Sequence, residues 1–472
     1  MHGNLKEAHF KGRIVVLGFG SIGKGVLPLI FRHIAITPQQ LLIISADERG
    51  KDVSEEYGVS FQLHVVTREN YQALLASLLR AGDFLLNLSI NVGSLELIEF
   101  CGQRGVLYLD TCVEVWQGVY MDASLSASLR SNYALREGAL QLREKYAHVP
   151  TAVITHGANP GLVSHFVKQA LLNMGRDSGV ITEAPATRHE WARLSQNLGI
   201  KTIHIAELDT QVAVPRKSPG EFVNTWSVQG LIGEGCQPAE LGWGSHEKFF
   251  PADGVRHGFG SQAAIFLDRP GAATSVRTWL PLAGPQIGFL ITHNESISLA
   301  DYLTIGSGEN PEYRPTVHYA YHPSDDTMLS LHELQARNWQ AQEKLRLVSD
   351  EIVSGIDELG VLLLGHKSGA YWYGSRLSIE ESRELAPHNT ATSLQVAAGV
   401  LAGMIWAMRH PDCGIVEPEE MGFEEVMAIA GPYLGEMIGV YSDWNPTVNR
   451  SAMFPEDLDR EDVWQFKNFR VY

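Results

Sequence analysis

Five short stretches of this 472-residue chain hold acids, an indole and an imidazole where a plain core does not require them. Ile205–Thr210 places Glu207 and Asp209 in a strand-like run, and Asn224–Gly230 sets Trp226 between polar neighbours. Glu234 stands between Gly233 and Gly235, and His293-Asn294-Glu295-Ser296 closes an apolar strand. Gly355–Gly360 holds Asp357 and Glu358 between glycines. Carboxylates and imidazoles are the side chains of general acid–base work, carboxylates hold ammonium groups by charge-assisted hydrogen bonds, and an indole face attracts a cation. Any one stretch alone reads as a capped turn or a satisfied buried polar group. Together, acids on segments between strands point to a site, provided the fold brings them to one place.

A second chemical signature lies near the start. Ile14 to Leu17 is an apolar run that enters Gly18-Phe19-Gly20-Ser21-Ile22-Gly23, a G-x-G-x-x-G turn, and Lys24 to His33 follows with helical periodicity. Strand, glycine turn and helix in that order form a dinucleotide-binding fingerprint. Gly18 permits the tight turn, Gly20 the close approach of a pyrophosphate, and Gly23 the packing of helix on strand. The amides around Ser21 and Ile22 then face the phosphates at the positive end of the helix. The next strand, Leu41 to Asp47, offers Ser45 or Asp47 to the ribose, with Arg49 and Lys51 nearby and no adjacent arginine pair for a 2′-phosphate. Asn87-Leu88-Ser89-Ile90-Asn91 and Asp110-Thr111-Cys112-Val113-Glu114 fall at later strand ends, the edge where open α/β sheets bind ligands. Asn87, Ser89 and Thr111 are therefore cofactor-side candidates.

The elements that must position these residues follow from the pattern. Strands at 61–66, 84–88, 106–109 and 152–155 alternate with helices at 71–80 and 94–103, which describes a parallel sheet with helices on both faces. The nucleotide domain is expected to span 1–158. From 159 to 388 the chain turns to helices at 162–174 and 189–198, then strands at 202–208, 222–232, 263–267, 276–280, 288–292, 361–364 and 370–374, with surface loops at 215–220 and 306–311. This reads as an α+β domain with a largely antiparallel or mixed sheet. Residues 389–472 are expected to return to the first domain. Their leading helix, 390–408, is apolar nearly all round and should be buried. The fold class is thus α/β, a Rossmann-type parallel sheet joined to a second α+β domain.

Composition narrows the partners. A net charge of −17 argues against nucleic acid or an anionic membrane surface and favours the arrival of a cation. No run of 18 apolar residues is present, so no membrane span is expected. The start, Met1 to Lys11, lacks an apolar leader core, and four scattered cysteines without C-x-x-C spacing imply reduced thiols in the cytoplasm and no zinc site.

The stretches G-F-G-S-I-G, R-S-N-Y-A-L-R-E (130–137), G-A-N-P-G (157–161), I-H-I-A-E (203–207), N-T-W-S-V (224–228), Q-P-A-E-L-G-W-G (237–244), T-H-N-E-S-I-S (292–298), G-I-D-E-L-G-V-L-L (355–363) and F-P-E-D-L-D (454–459) occur in this order over nearly the whole chain. They resemble bacterial homospermidine synthase, of saccharopine-dehydrogenase-like ancestry. The resemblance implies a homodimer that holds NAD as a prosthetic group and joins two putrescines into sym-homospermidine with release of ammonia. Spermidine serves as an alternative aminobutyl donor in some members. The implied chemistry is hydride abstraction, imine exchange and hydride return to bound NAD.

It further implies that Asn159, Glu207, Trp226, Glu234, His293 and Asp357 line an inner amine site. Glu234 and Asp357 would anchor an ammonium, Glu207 and His293 would move protons, and Trp226 would stabilise cationic amine and iminium by a cation–π contact. Glu114 matches an entrance acid. Asn91 replaces an acid usual in the family, and Ser45 stands where an acid is common at the ribose. Two other readings compete: a saccharopine- or carboxyspermidine-type dehydrogenase with dissociable NAD(P)H, which would want a basic clamp for its substrate carboxylate, and a non-catalytic NAD sensor, which would have no use for the acids beside Trp226.

Overall fold

The structure is a computed structural model and describes residues 6–122, 124–146, 148–181 and 183–471. Its first sheet has seven strands, all parallel, in the order Ile415–Val416, β6 (Ala152–Val153), β5 (Leu107–Asp110), β4 (Phe84–Asn87), β1 (Ile14–Leu17), β2 (Leu41–Ser45) and β3 (Ser60–Leu63). The residues of β1, β2, β4 and β5 are buried throughout. Burial on both faces is why they read as unbroken apolar runs rather than alternating ones.

Helix α1 (Ser21–His33) begins at the glycine turn and packs along the Ala391–Arg409 helix. That second helix is long and apolar enough to meet a membrane-span criterion, yet 89% of its apolar window is buried inside the molecule. It also contacts β5, and the strand that follows it, Ile415–Val416, pairs with β6. The chain thus returns to the first sheet at 415–416 and then leaves it again. Glu436–Ser442 pairs with Gly369–Ser378 and Arg470–Val471 with Ser275–Leu280 in the second sheet, so the expected return of 389–472 to the first domain holds only for its earlier part.

The second sheet has eleven strands. At its centre β7 (Thr202–Asp209) lies parallel to β8 (Thr316–His322) on one side and antiparallel to β9 (Ile356–His366) on the other. Helix α2 (Leu162–Asp177), buried along most of its length, packs against β9 and its neighbour Gly369–Ser378. Two elements differ from the sequence expectation. Residues 222–232 are not one strand: a strand ends at Asn224, and α3 (Val228–Cys236) follows, capped by the Ser227 hydroxyl accepting from Gly230 N at 3.0 Å. Three glycines in nine residues weaken the helical signal there, and the cap and packing restore it. Strand 288–292 also shifts, to Gly284–Phe289, since it forms a hairpin with Ser275–Leu280.

Candidate active site

The side-chain alternation of the central strands assembles the site. Glu207 and Asp209 on β7, Tyr319 and Tyr321 on β8 and Asp357 on β9 are two-residue neighbours or register partners, so they share one face of the sheet. The acids of Ile205–Thr210 and Gly355–Gly360 therefore lie within strands, not on connecting segments. Asp209 and Asp357 are directly opposed. Asn159 enters this face from the G-A-N-P-G turn. Gly161 holds the turn at φ +128°, and a Cβ there would sit 2.2 Å from the Gly157 carbonyl oxygen.

At the inner end, Asn159 Nδ2 donates to Glu207 Oε2 at 2.7 Å and to the Tyr319 hydroxyl oxygen at 2.9 Å, and the Tyr319 hydroxyl donates to the same Glu207 oxygen. Asp209 accepts from Gln211 N at 2.8 Å, Gln211 Nε2 at 3.1 Å and Thr225 Oγ1 at 2.8 Å. Asp357 accepts from Thr392 Oγ1, while its other oxygen is sealed from solvent without a hydrogen-bond partner. Burial pushes Glu207 up to about 7 and Asp209 up to about 6. Asp357 is also raised by burial and by the charges of Glu207 and Asp209. Among the described residues, no lysine or arginine forms an ion pair with any of the three. Buried acids with no lysine or arginine partner answer by raising their pKa and holding a proton.

Trp226, half-buried just before α3, donates from Nε1 to the Tyr321 hydroxyl at 3.2 Å. The Tyr321 ring stacks on Tyr319 at 5.1 Å with 9° between planes, and Tyr319 meets the His293 ring at 4.3 Å. His293 sits between two acids: Nδ1 is 3.1 Å from Glu295 and Nε2 is 3.4 Å from Glu234. Burial alone would favour the neutral ring; the two carboxylates override it and push His293 up to about 10. The raised imidazole thus faces Glu234 on one side and Glu295 on the other.

Outward of His293 a narrow cavity is lined by Asn91, Glu114, Gln229, Glu234 and Asn294, among others, with two carboxylates and no lysine or arginine in its wall. Gln229, Gly230, Gly233 and Glu234 belong to one face of α3. Burial raises Glu114 to about 7; it accepts from Cys112 Sγ and from Asn91 N, each at 3.4 Å. Asn91, at φ +60°, thus contributes a backbone donor to Glu114. The expected anchors separate: Glu234 faces this outer cavity, and Asp357 lies at the inner end.

The glycine turn has the shape of a dinucleotide seat. Gly18 is held at φ +86°, and a Cβ would meet Leu88 O and Ser89 N at 2.7 Å. At Gly20 a Cβ would find nothing within 4 Å, so backbone is open to an incoming phosphate. Helix α1 has no side-chain cap, which leaves its first-turn amides, Ser21 to Gly23, to a ligand. Asn87 Oδ1 accepts from Ser89 N at 3.3 Å and Ser89 Oγ at 2.5 Å at the end of β4, and half-buried Thr111 follows β5. The turn fits the group. At the ribose end, Ser45 is buried, and Asp47 is claimed by Arg49, whose Nη2 lies 2.6 Å from Oδ2.

Comparison with known proteins bears on this geometry. The family model of the saccharopine dehydrogenase NADP binding domain matches residues 14–153, and that of the saccharopine dehydrogenase C-terminal domain matches 157–441. Homospermidine synthase of Blastochloris viridis is 52% identical over 464 residues, covering 98% of this chain and 97% of that one. That of Mesorhizobium japonicum is 49% identical over 467 residues, 98% and 96% of the two chains. The chain belongs to the homospermidine synthase family. The solved homospermidine synthase of Legionella pneumophila, in complex with NAD, superimposes with a TM-score of 0.92 at 51% identity over 98% of each chain. Apo saccharopine dehydrogenase (L-Glu forming) of Saccharomyces cerevisiae shares the fold at a TM-score of 0.53 and 10% identity. Family membership supports the α/β architecture and the class of enzyme that the motifs indicated. Sequence reading left Tyr319 and Tyr321 unremarked and gave Glu295 no role of its own. The alternation in Thr316-Val-His-Tyr-Ala-Tyr-His322 was the signal that could have placed both tyrosines on one face.

Proposed function

We propose that this chain is an NAD-dependent homospermidine synthase that joins two putrescines and releases ammonia, with spermidine as an alternative donor. The observation that carries the reading is the buried acid set Glu207, Asp209 and Asp357, which lacks a resident lysine or arginine and lies beside Trp226. Putrescine is a dication at neutral pH, since its amines titrate near 10. A dehydrogenase acting on a carboxylate-bearing amine would want a basic clamp; the outer cavity offers Glu114 and Glu234 instead.

Gly18, Gly20, Ser21, Ile22 and Gly23 would hold the dinucleotide's phosphates, with Asn87, Ser89 and Thr111 at the nicotinamide side and Ser45 and Asp47 at the ribose. NAD bound there supplies a hydride acceptor and, later in the cycle, a hydride donor. The remaining work falls to the chain. Glu114 and Asn91 receive the diamine at the mouth, and Glu234 exchanges the His293 imidazolium for the substrate ammonium. Asp357 holds the far ammonium. Glu207 accepts the proton that frees the reacting amine, and Asn159 orients both partners. The Trp226 ring stabilises the cationic centre. We divide the chain into 1–158 for the cofactor and 159–388 for substrate and dimerisation, with 389–472 shared between them, since Ala391–Arg409 and Ile415–Val416 pack on the first unit while Glu436–Ser442 and Arg470–Val471 add strands to the second sheet, and we place the homodimer in the cytoplasm. The free, scattered cysteines support that compartment.

The test uses the purified, dialysed protein with putrescine as sole addition. Homospermidine and ammonia without net NADH support the synthase. Stoichiometric NADH that requires added NAD indicates an ordinary dehydrogenase, and no turnover with NAD present indicates a sensor.

A further inference from the structure

Tyr319 touches more of the inner site than any residue the sequence singled out. Its hydroxyl meets Glu207 and Asn159, its ring meets His293 at a tilt of 45°, and it stacks on Tyr321, the partner of Trp226. The proton arrangement in this group is determined by chemistry. An amide nitrogen donates only, so Asn159 Nδ2 must donate to both Glu207 Oε2 and the Tyr319 oxygen. The reverse amide orientation would set a carbonyl oxygen against a carboxylate. The phenol has one proton, and it goes to Glu207. Oε2 of Glu207 therefore carries two donors, and Oε1 carries none among the described residues.

We propose that Tyr319 is a positioning residue that commits Glu207 to a single proton-accepting oxygen, Oε1, and keeps that carboxylate available as a base. The proposal rests on the synthase reading. In the step concerned, an N–H bond of the reacting ammonium breaks, its proton passes to Glu207 Oε1, and the nitrogen keeps the electron pair. With Oε2 saturated, only one oxygen competes for that proton, and the carboxylate cannot rotate without breaking two hydrogen bonds.

The surroundings make such support necessary. Asp209 on β7 and Asp357 on β9 oppose a charge on Glu207, and burial opposes it further. His293, ahead of α4 (Asn294–Tyr302), favours the charge, as do the hydroxyl of Tyr319 and the amide of Asn159; Tyr321 lies beside them on β8. Loss of the phenol proton donor leaves Asn159 alone on Oε2, so Glu207 is protonated up to a higher pH.

The experiment measures homospermidine formation by the NAD-loaded, full-length enzyme across pH 5.5–9 for wild type, Tyr319→Phe, Glu207→Gln, and enzyme carrying 3-fluorotyrosine at 319. Phenylalanine keeps the ring contacts with His293 and Tyr321. The expected result for Tyr319→Phe is a kcat lower by about tenfold or more, a putrescine KM changed by less than about threefold, and an acidic limb of kcat/KM displaced upward. Fluorotyrosine keeps shape and hydroxyl but donates more strongly, and should displace the limb downward. Should Tyr319→Phe fail to fold, the fluorotyrosine enzyme alone decides by whether its limb moves. An unmoved limb in both enzymes, or a loss confined to KM, overturns the proposal. Failure of wild type itself to make homospermidine would overturn the synthase reading, so the two failures are distinct.

Discussion

Two buried clusters of charge in this molecule are built in opposite ways. Around Arg136, on the Asn132–Lys145 helix and 2% exposed, Glu417 accepts from Nε at 2.6 Å and from Nη2 at 2.8 Å, and Asp301 accepts from Nη2 at 2.8 Å. These groups come from that helix, the end of α4 and the turn after Ile415–Val416, so the ion cluster ties distant parts of the chain together. Burial penalises the Asp301 carboxylate, yet the charges of Arg136 and Arg188 more than offset this and hold it below the usual carboxylate range. Around Glu207 three acids are buried just as deeply, and their partners are hydroxyls and amides only. Compensated charge of the first kind serves structure. Acids of the second kind meet burial by holding protons instead of charge, the behaviour expected of a site that receives a cation.

Breaking each cluster should therefore have opposite consequences. The largest effect is expected from Glu207→Gln, which removes the proposed base: turnover should fall by about 10²–10⁴, while thermal melting shows no loss of stability, since a costly buried charge is gone. A marked drop in Tm would put Glu207 with the structural acids. Arg136→Met should do the reverse. It strands two buried carboxylates and should cost about 3–5 kcal/mol in denaturant unfolding; unchanged unfolding would remove the contrast.

Trp226→Ala comes next. A desolvated cation–π contact is worth about 2 kcal/mol, so activity should fall by about thirtyfold with NAD retention unaltered, read from turnover and bound-nucleotide absorbance.

The smallest effect is in pH. Glu207 and Asp209 have folded-state values raised to about 7 and about 6, so the folded protein keeps protons that the unfolded chain has lost. Raising pH through that window destabilises the empty protein. For Asp301, held low, the sign is opposite: its contribution is present above the ordinary aspartate range and is lost as pH falls through the folded value. The rise in Tm on adding putrescine should accordingly grow from pH 5.5 to pH 8, and a constant rise would show that the diamine does not meet these acids.

How far each region was readable differs for physical reasons. The first sheet announced itself because strands covered on both faces leave long apolar runs, and its glycine turn is a local backbone requirement. The acids and Trp226 were visible as residues out of place in a core, and the resemblance gathered them. The strand Thr316–His322 was not foreseen, because tyrosines and histidines alternate there without an obvious apolar face. The α3 helix was hidden by Gly230, Gly233 and Gly235, although it carries Glu234 and follows Trp226.

Sequence by itself determined the dinucleotide turn, the parallel sheet around it, the acidic character of the site and the family. These depend on local backbone geometry, on period, or on motifs preserved in order along the chain. Tertiary structure alone decided which acids meet: that Asp357 opposes Asp209, that Glu234 pairs with His293 instead, and that Tyr319 stands between Glu207 and Asn159. Tyr319, for one, stands 112 positions from Glu207 and 160 from Asn159. Strand register sets such contacts, and no short-range pattern in the chain encodes which strands will lie side by side.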